Sequence, residues 1–256
     1  MTRARVYRTE AIVLKAYDYG EADRILTLYT PDQGKLRAIV KGVRRIKSRK
    51  AGHLDLFTRV TLLLAHGRHL DVVTQAETIE SFRGMRNDLW RSSHAHYVAE
   101  LVDSFGAEQL ANSALYGLTV TTMRRLASSA QLDLVVRSFE IQLLTMTGYR
   151  PQLHRCLKCD STIEPQVNHF SSSMGGILCP DCASADVAAP AISVNALKVM
   201  RNLQTNESAV LQVTDVSETV QRELEKRMQE YIVYRLEWRP RSISFLDRLR
   251  AEGVPH

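Results

Sequence analysis

The four cysteines of this chain all fall in one window, as Cys156-Leu-Lys-Cys159 and Cys179-Pro-Asp-Cys182, with nineteen residues between the pairs. Two C-x2-C knuckles at this separation match a tetrahedral zinc site in which four thiolates close the coordination shell. A closed shell leaves no position for water or substrate. The single Zn2+ expected on Cys156, Cys159, Cys179 and Cys182 is therefore structural. Ser171-Ser-Ser-Met-Gly-Gly176 then reads as a hairpin turn between the knuckles. Two disulfides or a dithiol redox centre are the alternatives. A cytosolic setting argues against the first, and no thioredoxin-like βαβ pattern surrounds either pair. His154 and His169 could substitute as ligands, but read more simply as exposed loop histidines. Around the knuckles Arg155 and Lys158 are outnumbered by Asp160, Glu164, Asp181 and Asp186, so phosphate would be repelled as much as attracted.

The rest of the chain fits a cytoplasmic protein. MTRARVYRTE at the N-terminus lacks the apolar core of a signal peptide. No apolar run approaches the roughly 20 residues needed to span a bilayer, so no membrane partner is expected. With 256 residues, 45% hydrophobic and 24% charged, there is material for two or three packed domains and no expectation of long disorder.

The first eighty residues alternate like strands. Val6 to Lys15, Arg24 to Thr30, Gly34 to Val43, Arg59 to His66 and His69 to Ile79 are the candidates, with turn signals such as Pro31-Asp32-Gln33-Gly34 between them. Five strands with no crossover helix predict a small closed barrel, best a five-stranded OB-type Greek key, with an SH3-like barrel as the rival. Tyr29 and Phe57 are expected in its core, leaving Tyr7, Tyr17 and Tyr19 as candidate stacking platforms. After Ser81 the period becomes helical: Asn87 to Phe105, Ala111 to Ser128, and Leu132 to Thr147 ending at Gly148. Asp215-Val-Ser-Glu218 resembles a capping box that opens a helix through Arg235, and the chain from Arg239 onward reads as a loosely held tail. The fold class is thus α+β: an OB barrel over residues 1–81, a helical domain over 82–148 and 187–256, and a four-cysteine zinc-finger insertion over 149–186.

Charge is distributed unevenly over these parts. Residues 1–80 hold 15 Lys/Arg and 9 Asp/Glu, whereas residues 81–256 hold 19 of each, so the whole net charge of +6 sits in the barrel. Lys35 to Lys50 carries eight basic residues and no acid. A run of this kind is often only a solvated face. Its lack of acids nearby in sequence, and its place at the end of the third strand of a ligand-binding fold, favour nucleic acid. Arg24, Lys35, Arg37, Lys41, Arg44, Arg45, Lys47, Arg49 and Lys50 are the candidate contacts. With no base-reading motif among them, they predict sequence-tolerant, salt-dependent binding to the phosphate backbone.

Catalysis has little to rest on. Asp18, Glu21 and Asp23 of DYGEAD could suggest a metal-dependent nuclease, but no second carboxylate cluster follows, and no G-x-x-x-x-G-K-[ST] phosphate loop is present. A non-catalytic adaptor whose basic loop docks on an acidic protein remains the other alternative.

Residues 9–64, from the IVL strand through DYGEAD, TLYTPDQGK and KGVRR to the SR of Ser48-Arg49, resemble the N-terminal region of the bacterial DNA repair protein RecO family. The likeness continues through GRHLDVVTQAE, and the four cysteines fit members that keep a zinc site. Arg241-Ser-Ile-Ser-Phe-Leu246 keeps only the outline of the family's basic terminal segment. The resemblance implies an OB fold, a helical domain with the zinc site, and a recombination mediator rather than an enzyme. It implies binding of single- and double-stranded DNA, strand annealing, and action with RecR, often RecF, to load RecA on DNA coated by single-strand-binding protein (SSB). Lys35, Lys41, Arg44, Arg45, Ser48 and Arg49 would line the DNA surface.

Overall fold

The computed structural model describes residues 6–46, 48, 50–205 and 216–254. Lys47, Arg49 and Asp215, all singled out above, lie outside the described residues. The chain divides into two compact units, Met1–Ser128 with Arg248–His256, and Ser129–Asp247.

The first unit is built on strands β1 (Val6–Tyr19), β2 (Asp23–Thr30), β3 (Gly34–Val40), β4 (Arg59–Ala65) and β5 (Asp71–Glu80). They close in the order β1-β2-β3-β5-β4. Every pairing is antiparallel except β3 with β5, where Ala38 faces Asp71 and Ile39 faces Val72 in parallel register. This is the Greek-key closure of an OB barrel, as expected. β1 serves two partners, pairing with β4 over Val6 to Ile12 and with β2 from Ile12 onward. A register shift between Val13 and Lys15 bends the strand from one to the other.

Period-two alternation fills the barrel with Ala11 and Val13, Leu26 and Leu28, Leu36, Ala38 and Val40, Val60, Leu62 and Leu64. Tyr29 and Phe57, expected in that core, are buried elsewhere. With Leu28 pointing inward, Tyr29 must point outward, and its ring packs where a Cβ on Gly106 would come within 2.7 Å. Burial there pushes its phenol up to about 12. Phe57 meets His96 edge-on with ring centroids 4.8 Å apart. The outer wall of this barrel is therefore apolar where helices cover it.

Those helices are α1 (Arg83–Arg86), α2 (Leu89–Phe105) and α3 (Ser113–Ser128). Asp88 caps α2, its carboxylate accepting from the Arg91 N–H at 2.9 Å, and Asn112 does the same for α3 through Leu115 at 2.9 Å. A polar network ties the barrel to α3. Arg59 donates to Glu10 at 2.7 Å and to Glu80 at 3.1 Å, Arg124 also grips Glu80, and Tyr116 donates to Glu10 at 3.3 Å.

In the second unit α4 (Leu132–Met146) is buried almost all round and encloses an Arg137–Glu140 pair at 3.1 Å. It ends at Gly148, whose φ of +85° suits glycine, with the Tyr149 N–H returning to the Leu144 carbonyl at 2.7 Å. A small sheet follows, β7 (Gly176–Leu178), β6 (Asn168–Ser171) and β8 (Ala191–Ile192) in that order, then α5 (Val194–Thr205) and α6 (Glu218–Leu236). α4, α5 and α6 pack on one another. Ser217 occupies the N-cap position of α6.

The segment from Arg239 onward is not a loose tail. α7 (Arg241–Ala251) buries Ile243, Leu246 and Leu249, a three-residue spacing that places them on one helical face. Among the described residues no helix is long and apolar enough to cross a membrane.

Candidate nucleic-acid interface and metal centre

The basic run leaves the barrel where β3 ends. Gly42 turns the chain with φ +65°, and its N–H donates to Asp23 Oδ1 at 2.7 Å. Val43 then plugs into the barrel core, and the Arg44 N–H reaches the Ala22 carbonyl at 3.0 Å. Two short bonds, Arg45 N–H to Gly42 O at 3.2 Å and Ser48 N–H to Arg45 O at 2.9 Å, coil the loop beyond it. One buried valine and a few backbone bonds therefore hold out a row of cations.

The DYGEAD turn between β1 and β2 is the base on which this loop stands. Asp18 pairs with Arg24 at 3.1 Å and with Arg44 at 3.5 Å, while Asp23 accepts from Gly42. The run lacks acids in sequence but acquires two across the barrel end. The same contacts commit Asp18 and Asp23 to holding the loop. Among the described residues these carboxylates form no metal-holding cluster.

The seven candidate cations among the described residues differ in what surrounds them. Arg37, on the outward face of β3, is exposed, as are Lys41, Arg44 and Arg45. Arg24 is half-buried beside Asp18, and Lys50 donates to the Val73 carbonyl at 3.2 Å. Lys35 stands apart. Its side chain is only 17% exposed, and its ammonium donates to the Asp103 carbonyl at 2.6 Å, with the Asp103 carboxylate 3.4 Å away. Lys15 holds that carboxylate's other oxygen at 2.6 Å. Burial opposes the Lys15 charge most strongly, but the bond to Asp103 together with the nearby charges of Asp103, Tyr17 and Glu100 outweighs it and raises its pKa. Gly34 makes this seat possible. At φ +62° it lies so close to the Ala107–Leu110 segment that a Cβ would stand 2.2 Å from the Leu110 oxygen.

Alongside the loop an open groove of about 790 Å³ runs past Tyr17, Asp18, Arg24, Asp55 and Arg86. Tyr17 and Tyr19 present 52% and 56% of their surface to solvent, as the sequence reading expects of stacking platforms.

The cysteines come together as expected. Their four sulfurs all lie within 4.8 Å of one another, and Cys159 Sγ is 3.8 Å from Cys179 Sγ. With metal–sulfur bonds of about 2.3 Å, a tetrahedron has sulfur edges of roughly 3.8 Å, so the cluster fits a zinc-sized ion. β7 runs directly into the second knuckle, and the β6–β7 hairpin turns between Ser171 and Gly176. Leu157 is tied to Ile177 by a 2.9 Å backbone bond, and the Cys179 N–H points at Cys156 Sγ from 3.4 Å.

Crowding splits the thiols. Burial raises Cys156, but N–H groups of Cys159, Cys179 and Lys158 lower it further, to about 6. Hydrogen bonding to Cys179 and Cys159 pushes Cys182 up to about 12. Four such sulfurs can all be thiolates only when a cation sits among them. Arg155 is held by Asp160 at 2.7 and 2.8 Å, so it is not a spare phosphate contact. His154 is exposed, as read from sequence, but His169 lies half-buried in β6.

Residues 1–82 match the family profile described as Recombination protein O N terminal, and residues 86–243 match Recombination protein O C terminal. The chain is 42% identical to the DNA repair protein RecO of Roseiflexus sp. (strain RS-1), over 97% of this chain and 87% of that one. It is 39% identical to the RecO of Dehalococcoides mccartyi (strain ATCC BAA-2266), over 97% of this chain and 98% of the relative. The RecO of Symbiobacterium thermophilum is 34% identical over 96% and 98%. An OB barrel that carries a basic loop, followed by a helical part that carries four clustered cysteines, agrees with both matches along the chain. This chain belongs to the RecO family of DNA repair proteins, which act in recombination.

Proposed function

We propose that this protein is a non-catalytic recombination mediator of the cytoplasm and nucleoid. It binds single- and double-stranded DNA through backbone phosphates and anneals complementary strands. With RecR, and with RecF, it promotes loading of RecA on single strands coated by SSB. The observation that carries the reading is the anchored loop after β3, whose exposed Lys41, Arg44 and Arg45 offer charge without any base-reading geometry. Arg37 and Lys50 extend this surface, Lys47 and Arg49 are further phosphate contacts proposed from the sequence, and Arg24 supports the surface through Asp18. Lys35 acts at one remove, by fixing the start of β3 over Asp103. A cationic surface that grips only phosphates can hold two backbones near each other while their bases remain free to pair.

Zn2+ on Cys156, Cys159, Cys179 and Cys182 is the matching structural cofactor, joining two knuckles that backbone bonds alone would hold weakly. The labour divides among an OB domain at 1–81, a helical domain at 82–148 and 187–256, and a zinc insertion at 149–186. The deciding experiment is annealing of complementary strands coated with SSB, with and without the protein. Faster annealing supports the reading. DNA binding without annealing leaves a simple binder, and loop-dependent capture of an acidic protein without DNA binding favours an adaptor.

A further inference from the structure

Ile46 is fully exposed, at 104%, the highest value for a large apolar side chain among the described residues. A single exposed apolar residue is ordinary. Val187, at 93%, is such a case, lying between Asp186 and Ala188 with no cation next to it in sequence. Ile46 differs in where it stands and in what flanks it.

Three residues before it, Val43 is buried in the barrel core. The backbone N–H groups of Gly42 and Arg44 are bonded to Asp23 and Ala22. The Arg44 guanidinium is held by the same turn, 3.4 Å from the Gly20 carbonyl and 3.5 Å from the Asp18 carboxylate. The chain therefore passes from core to open solvent within three residues, on a fixed base. The Ser48 N–H then reaches the Arg45 carbonyl at 2.9 Å, closing a turn of which Ile46 is the second residue. Turns favour Gly, Pro, Asn, Asp and Ser, whereas a β-branched apolar side chain left in water contributes nothing to the core. Local structure gives no reason for isoleucine here.

The flanking residues supply one. Arg44 and Arg45 immediately precede it, both exposed, and Arg45 has no ion-pair partner among the described residues. Cations seated on phosphates bring Ile46 to the bases those phosphates carry, since adjacent residues lie about 3.8 Å apart. Apolar side chains, Ile among them, can enter between base steps, unstack them and kink the duplex. A stiff β-branched side chain suits this, because it has little rotamer freedom to lose on insertion. A pocket on another protein is the other possible host. An anchor of that kind works within a desolvated apolar core, and the loop offers Ile46 no apolar companion: its described neighbours in sequence are Arg44, Arg45 and Ser48.

We propose that Ile46 is a wedge: with Arg44 and Arg45 on the phosphates of a DNA duplex, its side chain enters between neighbouring base pairs and unstacks them. The inference rests on the reading of this loop as a DNA contact and deepens it. A loop that both grips and unstacks opens paired strands to a change of partner, which phosphate contacts alone do not.

The test uses the full zinc-loaded protein and a short duplex in which several adenines are replaced by 2-aminopurine, whose fluorescence rises when its stacking is lost. Binding is followed separately by anisotropy across a salt series. At saturation the parent should raise the 2-aminopurine signal by roughly twofold or more, the response to an opened step. Ile46→Ser, at a fully exposed position, should bind with an unchanged salt slope and an affinity within about tenfold of the parent, yet leave the signal near that of free duplex. Ile46→Leu should keep the signal. A parent that binds without changing the signal would overturn the wedge and leave the DNA contact standing. A parent that fails to bind duplex even at low salt would sink the DNA reading, and the wedge with it. If Ile46→Ser unstacked the duplex as well as the parent does, the unstacking would belong to another group and the wedge would fall. Loss of the salt slope together with the signal would make Ile46 a residue that shapes the loop, which also overturns the proposal.

Discussion

The cysteine cluster and the basic loop are both polar constellations held on tight turns, but different physics keeps each in place. At the cluster, four sulfurs converge within 4.8 Å, and their neighbours are their own hairpin and knuckles. At the loop, three of the described cations are held by groups far away in sequence: Arg44 by Asp18, Lys50 by Val73, Lys35 by Asp103. Metal coordination is short-ranged and directional, so ligand spacing foretells it. Coulomb interaction is long-ranged, so a charge's role depends on everything the fold brings near it.

That contrast predicts the largest effect at the cluster. Cys156→Ser, or removal of the metal with a strong chelator, should destabilise the second unit by several kcal/mol, on the order of 5, because the binding energy of a closed site is folding energy. Hydrogen exchange resolved by segment would show residues 150–190 losing protection while the barrel strands keep theirs. Retained protection in the metal-free variant would remove the distinction between the two regions.

The next effect separates Lys35 from the loop it neighbours. Asp103→Asn should cost about 2 kcal/mol, since it loosens two lysines that share one partly buried carboxylate. Urea denaturation checks the value. DNA affinity of the folded variant at moderate salt should stay near that of the parent, whereas a Lys35 that bound phosphate directly would bind more tightly once the Asp103 charge is removed.

How much of this was legible in the sequence depends on the range of each cause. Strand periodicity, the Gly148 stop and the cysteine spacing are local signals, and the fold follows them. The outward face of Tyr29 was not local: alternation gives two faces, and only barrel closure decides which is inside. Nor was Asp103 legible as the partner of Lys35, since 68 residues separate them. α7 was hidden by composition, because Arg241, Arg248 and Arg250 mask an Ile243–Leu246–Leu249 stripe. α5 carried a readable pattern in Ala196, Leu197, Met200 and Leu203, whose spacings of one, four and seven are helical.

A smaller effect concerns the network that ties the barrel to α3. The bond from Arg124, outweighing burial and helped by Arg59, holds the Glu80 carboxyl below the usual range. A folded pKa below the unfolded one stabilises at pH values above the unfolded pKa, and that contribution disappears as pH falls through the folded value. Glu80→Gln should therefore cost about 1 kcal/mol at neutral pH and nothing once the parent's carboxyl is protonated. Melting temperatures of both proteins across an acid series would converge at low pH. A constant gap would assign Glu80 a packing role instead.

The smallest stability effect belongs to the residues placed on DNA. Arg45 is exposed, and its backbone rather than its guanidinium holds the turn to Gly42. Arg45→Ser should change folding stability by less than about 0.5 kcal/mol. Its effect on DNA should appear in the salt dependence: removing one phosphate contact lowers the slope of log K against log salt by about 1. The same substitution thus weighs little in a melt and much in a titration, the reverse of Asp103→Asn. If Arg45→Ser left the salt slope untouched, the exposed row on this loop would be a solvated face after all, and the search for the phosphate contacts would move to Arg37 and the tyrosine groove beside it.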